Sequence, residues 1–301
     1  MRLSGKVVAK SAAAVVAVAA LAVATRALLR WSERRSQVES RRAELARLGL
    51  PGDGTREFVP LPAILPHSAL AAHIGADLFC DKRLARTSRR TCSSCHWLNM
   101  GGTDGKVHGG ALTRPFVNAA LATRFMRDGA VTNIADAVAI MMERGEYAGG
   151  GAPDAVAARL AADAPLVARF RLCYGGAPCA SNVVDSIVQY GRTVLSAGRP
   201  FDRHLGGDAG GAFGERQKAG LEVFRRRRCT DCHNGPGLGG TMASNGRKVS
   251  ALRGLGLRGV YLSDGSSTDL GAVVALMPGV DDGGEMDEEE RGDLVAFLKS
   301  L

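Results

Sequence analysis

Apolar positions recur with a helical period over most of this chain, and the breaks in that period set its layout. An apolar run from Ala12 to Ala24 follows Arg2, Lys6 and Lys10. Trp31 to Leu48 is rich in Arg and Glu and fits a helix, with Val38, Leu45 and Leu48 too sparse for a core face. Pro51 to Pro66 holds four prolines and reads as an extended tether that wraps or joins the first globular part. Helices are then expected at Ala69 to Phe79, Ile134 to Glu143, Asp154 to Phe170 with Pro153 in its first turn, Asn182 to Leu195, Glu215 to Arg226 and Glu288 to Leu298. No segment carries a strand pattern. The expected fold class is mainly α with long loops.

Composition changes this picture in one respect. Aromatic residues make up 5% of the 301 positions while glycine supplies 39, so small side chains alone would build a thin core. A bulky cofactor in each half would supply the missing apolar volume.

The net charge of +9 is concentrated at one end. Residues 1 to 50 hold ten basic side chains against Glu33, Glu39 and Glu44. That pattern is a basic flank beside an export or membrane segment, and it gives no ground for nucleic-acid binding. The thirteen apolar residues are short for a span and suit a signal-peptide core, with a small-x-small cleavage site at Ala22-Val23-Ala24. Residues 1–30 are therefore either a cleaved signal or, extended through Leu28 and Leu29 to Trp31, a slanted anchor. Either way the bulk of the chain is placed in the periplasm.

The chemistry is carried by two copies of one pattern, Cys92-Ser93-Ser94-Cys95-His96 and Cys229-Thr230-Asp231-Cys232-His233. Paired thiols two residues apart can form thioethers with one haem, and the following His is placed to ligate its iron. Two covalently bound haem c groups are expected, on Cys92, Cys95 and His96 and on Cys229, Cys232 and His233. A zinc site would need four distant thiolates to converge and would leave both histidines unexplained. The patterns divide the chain into a charged and Pro-rich linker at 31–68, a haem domain at 69–200 and a second at 201–301. Asp128-Gly129 and Asp264-Gly265 lie 136 apart, as do Ile134 to Met141 and Leu270 to Met277, the layout of an internal duplication.

Together with Leu78 to Leu84, the glycine-rich Leu98 to Gly105, Phe201-Asp202-Arg203, Leu252-Arg253 and the closing Phe297 to Leu301, these motifs resemble the bacterial di-haem cytochrome c peroxidases and their MauG-like relatives. The resemblance runs from about Ala72 to Leu301. It implies an oxidoreductase with a peroxidatic N-terminal haem and a higher-potential C-terminal haem that receives electrons. The implied reaction reduces hydrogen peroxide to water with electrons from a small cytochrome c or cupredoxin. His233 and Met277 would ligate the second iron. His96 would hold the first, with His108 as its reversible distal ligand and Glu146 near the position of the distal acid. Without the resemblance, Met277 reads as a core methionine, His108 as a solvent-exposed histidine and Glu146 as part of a surface turn. A non-peroxidatic electron-transfer cytochrome or sensor, and a MauG-like oxidase, are the alternatives. A homodimer is left open.

Several positions depart from the family. No Trp occurs in Arg124 to Gly129, where the family has one between the haems, and Trp97 does not align with it. Tyr261 lies near the loop that supplies a Tyr ligand in MauG-like proteins, and Met277 fits the ligand position better. Ser263 stands where a His is usual and Ala251 where a Pro is usual. The family's interdomain Ca²⁺ is held by an Asn and backbone carbonyls; Leu112-Thr113-Arg114-Pro115 has no Asn, so calcium is either absent or bound in a rebuilt site. Outside the haem loops, Cys173 and Cys179 either close a small disulfide or remain free, and Cys80 is expected to be buried beside Phe79. Arg225 to Arg228 is either a solvated helix end or a group that pairs with haem propionates or guides an acidic donor.

Overall fold

The computed structural model describes residues 5–50, 57–85, 90–143, 152–208, 210–277 and 286–301. It comprises two units, residues 1–57 and 58–301. In the first, a single helix α1 spans Gly5–Leu48. Among the described residues no helix is long and apolar enough to cross a membrane, so α1 gives no support to the slanted anchor.

The second unit is mainly helical. Helices α2 (Ala69–Phe79), α3 (Ile134–Glu143), α4 (Pro153–Leu160), α5 (Ala164–Tyr174) and α6 (Ala180–Gly191) are followed by α7 (Pro200–Leu205), α8 (Glu215–Arg226), α9 (Leu270–Ala275) and α10 (Glu288–Lys299). The bounds of α2, α3 and α8 are those expected from periodicity. The helix expected at Asp154 to Phe170 is two helices. Pro165 has no N–H to donate, and the chain restarts at Asp163, whose carboxylate accepts from Leu166 N at 3.0 Å. Helix α7 was not foreseen, because six residues are too few to show a period.

Two short antiparallel ladders correct the expectation of no strands. β1 (Val107–His108) pairs with β2 (Ala111–Leu112), and β3 (Thr241–Met242) pairs with β4 (Lys248–Val249). Each ladder is two residues long, so no alternation could reveal it.

Two apolar cores lie within this unit. One gathers α2, α4, α5 and α6 around Leu78, Leu160, Phe170 and Val183. The other gathers α8, α9 and α10 around Phe201, Phe224, Leu270 and Phe297, and takes in Phe58 from the tether. Each core is closed by one helix crossing at a glycine. A β-carbon at Gly75 of α2 would lie 1.9 Å from the Ser186 carbonyl oxygen of α6, and one at Gly220 of α8 would lie 2.0 Å from that of Asp293 in α10. Only glycine permits so close an approach of backbones.

Backbone features also recur 136 residues apart. Asn118 and Gly254, Met126 and Leu262, and Gly129 and Gly265 all adopt positive φ. Single-residue bridges Phe125 to Val131 and Tyr261 to Ser267 follow the same spacing. Contacts between the halves are reciprocal: Leu112 N donates to Ser263 O at 3.0 Å, and Lys248 Nζ donates to Met126 O at 2.6 Å.

Candidate functional site

Both C-x-x-C-H segments fold as the same tight turn. Cys95 N and His96 N donate to Cys92 O at 3.2 and 2.9 Å, and Cys232 N and His233 N donate to Cys229 O at 3.3 and 2.8 Å. The turns follow the helices that build the two cores, α2 and α8. Each helix also sets an aromatic ring beside the histidine, Phe79 at 6.4 Å from His96 and Phe224 at 6.4 Å from His233.

One nitrogen of each imidazole is committed to the backbone. His96 Nδ1 lies 3.0 Å from Gly102 O, and His233 Nδ1 lies 3.2 Å from Leu238 O. A carbonyl bonded at Nδ1 fixes the proton there and leaves Nε2 with its lone pair, as an iron ligand requires. Burial lowers the pKa of both rings, against backbone hydrogen bonding that includes Arg114 for His96 and Ser250 for His233. Both rings are thus neutral at physiological pH.

The thiols of the first turn are not poised as free nucleophiles. Burial pushes the Cys92 thiol up to about 12 and also raises that of Cys95. A thiol held protonated is a poor redox dithiol, and each turn brings two thiols and one histidine together, the set that thioether attachment and iron ligation require. The residues present therefore fit two covalently attached haems.

His108 is brought to the first of these turns. Its Nε2 lies 2.8 Å from Asp104 Oδ2, and ligand atoms of Cys95, Asp104 and His108 all fall within 4.8 Å of one another. Burial raises the pKa of Asp104, but its hydrogen bonds to His108 and Lys106 N outweigh that and leave it below the ordinary carboxylate value. Asp104 was missed as a partner of His108. Its only sequence signal was a carboxylate four residues ahead of the histidine in a glycine-rich loop.

Met277 ends the turn after α9 and is 49% exposed, with its N–H donating to Val274 O at 3.0 Å. Tyr261 is buried, and its hydroxyl donates to Arg258 O at 2.9 Å. Glu146 lies outside the described residues. Trp97 is 40% exposed, its Nε1 donates to Ser94 O at 3.2 Å, and Lys106 Nζ sits 5.8 Å from its ring centroid.

The arginines from Arg225 to Arg228 at the end of α8 are paired with carboxylates, and Arg227 among them is buried. Arg225 meets Glu222 at 2.7 Å, Arg226 and Arg227 meet Glu290, and Arg228 meets Asp231 at 2.6 Å. Asp202 and Arg253, from separate sequence landmarks, form a buried ion pair. Arg253 also donates to Val59 O at 2.7 Å, and Asp202 accepts from Leu61 N at 2.9 Å, so the pair clamps the tether.

The cysteines outside the haem turns differ in part from expectation. Cys80 is exposed, because it caps the C-terminus of α2 and turns outward while Phe79 is buried. Cys173 and Cys179 are both free; the first lies 4.0 Å from Ser68 Oγ and the second 3.3 Å from Ser181 Oγ.

Calcium does not fit the segment Leu112-Thr113-Arg114-Pro115. The Thr113 hydroxyl is turned to Lys106 O at 3.5 Å, and the segment offers the half-buried Arg114 cation in place of an acidic or amide ligand.

The geometry defines a class, a mainly helical protein with two c-type haem-attachment turns. Residues 69–210 match the family model of the di-haem cytochrome c peroxidases. The chain is 30% identical over 291 residues to the cytochrome c peroxidase Ccp of Escherichia coli, covering 80% of this chain and 60% of that protein. It is 27% identical to the cytochrome c551 peroxidase of Nitrosomonas europaea, covering 80% of this chain and 83% of the relative. To the methylamine utilization protein MauG of Methylorubrum extorquens it is 29% identical, covering 81% and 82%. The chain is thus similar to cytochrome c peroxidases and to MauG over about 80% of its own length, and it spans 60% of the Escherichia coli relative.

Solved structures agree at the level of fold. A MauG-like protein associated with microbial copper homeostasis superposes with a TM-score of 0.63 at 21% identity, covering 81% of this chain and 92% of that one. The di-haem peroxidase BthA of Burkholderia thailandensis gives 0.64 at 12% identity, covering 81% and 89%.

Proposed function

We propose that this protein is an exported di-haem peroxidase that reduces hydrogen peroxide to two waters, taking two electrons from a small cytochrome c or cupredoxin and two protons. The observation that carries this reading is the pair of equivalent turns, each presenting a neutral histidine whose Nε2 is left to ligate iron. Bound haem would supply the iron that accepts the electrons and cleaves the peroxide bond. His96 and His233 would each hold one haem iron. Met277 would be the second residue to hold the second haem, where a thioether favours the ferrous state and raises the potential. His108 is the exchangeable distal group of the first, positioned by Asp104, and Glu146 is the acid or base that moves a proton between the peroxide oxygens.

The recurrence of backbone features at a spacing of 136 supports a duplication of one mono-haem unit, with 69–200 as the peroxidatic half and 201–301 as the electron-entry half. Residues 1–30 would direct export to the periplasm, where haem c is attached. Haem content and peroxide turnover with reduced cytochrome c test the whole reading. Two haems per chain and two donors oxidised per peroxide are expected; full haem loading without turnover in any redox state would leave an electron-transfer or sensor role.

A MauG-like oxidase is the second reading, favoured by the contrast between buried Tyr261 and half-exposed Met277. A sulfur-to-iron charge-transfer band that vanishes in Met277→Leu supports Met ligation. A band-free spectrum that changes instead in Tyr261→Phe supports the MauG-like alternative.

A further inference from the structure

The seam between the two halves brings cations together. Arg114 follows β2 in the first half, and its backbone bonds to the His96 ring; Lys248 lies on β4 of the second half, two residues before the Ser250 that bonds to His233. Both side chains are half-buried, and they lie close enough for the charge of Arg114 to act on Lys248. Among the described residues the Arg114 guanidinium has no hydrogen-bond or ion-pair partner. Lys248 Nζ has only the Met126 carbonyl, at 2.6 Å. Asp128 is near enough for its charge to act on Lys248, and its carboxylate accepts from Ala130 N at 3.0 Å.

Two like charges held together away from water are unfavourable unless an anion is supplied. Burial, and after it the charge of Arg114, bring the Lys248 pKa down to about 8, with Asp128 acting in the opposite direction. The two cations come from the segments that flank the two proximal histidines. On the di-haem reading, the carboxylates that arrive there are haem propionates.

We propose that Arg114 and Lys248 form a fixed cation pair that neutralises haem propionates at the seam and replaces the interdomain calcium of the family. This inference rests on the di-haem reading. It differs from calcium binding in being built into the chain, so the protein needs no dication to join its halves.

The test uses the full-length holo-protein, with haem content established first as two per chain; a shortfall there overturns the di-haem reading rather than this one. Calcium titrated into EGTA-treated protein should give no binding heat, and EGTA should leave Tm unchanged. Optical redox titration of Arg114→Asn and Lys248→Met should show a lowered potential at one or both haems, since loss of a nearby cation favours ferric iron. Arg114→Lys and Lys248→Arg should restore it, which a merely structural role would not require. Stoichiometric calcium binding, an EGTA-induced fall in Tm, or unchanged potentials in both charge-removing variants would overturn the proposal.

Discussion

Gly75 and Ser186 are in backbone contact, so close that a β-carbon on Gly75 would stand 1.9 Å from the Ser186 carbonyl oxygen. The second half repeats the arrangement with Gly220 and Asp293 at 2.0 Å. These crossings hold α2 against α6 and α8 against α10. Gly75→Ala and Gly220→Ala should each destabilise the protein by about 1–3 kcal/mol or more, since neither backbone can yield cheaply. Thermal unfolding of the holo-protein checks this; a Tm equal to wild type would show that the helices can separate without loss.

The buried Asp202–Arg253 pair is expected to be costly to break and cheap to replace. Arg253→Met alone leaves an uncompensated carboxylate and should cost about 3–5 kcal/mol, whereas Asp202→Leu with Arg253→Met should recover much of that. Denaturant unfolding of the two variants distinguishes the cases. Equal losses would mean that the backbone bonds to Val59 and Leu61, not the ion pair, hold the tether.

Asp104 is expected to act through His108. A carboxylate on one imidazole nitrogen orients the ring and strengthens it as a ligand, and its loss typically weakens ligation 10–100-fold, about the effect expected of Asp104→Asn. Electron paramagnetic resonance of the ferric protein should then show less low-spin signal from the first haem. His108→Ala should show the same loss, with no further effect of Asp104→Asn in that background. An additive double variant would separate the two residues.

The Asp163 cap gives a pH dependence. Its hydrogen bonds to Leu166 N and Arg83 hold its carboxyl below the ordinary carboxylate value. A folded-state pKa lowered in this way stabilises the fold above the unfolded value of about 3.9 and ceases to do so as pH falls through the folded one. The Tm gap between wild type and Asp163→Asn should therefore be full near neutrality and close below about pH 4. A gap that persists in acid would assign the effect to shape rather than charge.

What was legible in the sequence was what depends on near neighbours. The haem turns need only five consecutive residues, and α2, α3 and α8 carry enough turns to show their period. The break before α5 was visible in Pro165 and was overridden by the apolar period on either side of it. Cys80 was misjudged because its burial depends on a cap angle at the end of α2, not on the residue type beside it. The hairpins are too short to alternate, and pairs such as Lys248 with Met126 or Arg253 with Asp202 join residues far apart in the chain. No local pattern could have announced them.

The central claim is that one haem of this protein is open to peroxide while the other supplies the electron. It is tested most directly by stopped-flow absorbance of the holo-protein, reduced until only one haem is ferrous and then mixed with hydrogen peroxide. Rapid oxidation with a high-spin signal at the remaining ferric haem is the predicted result. Two low-spin haems that do not respond to peroxide would contradict it.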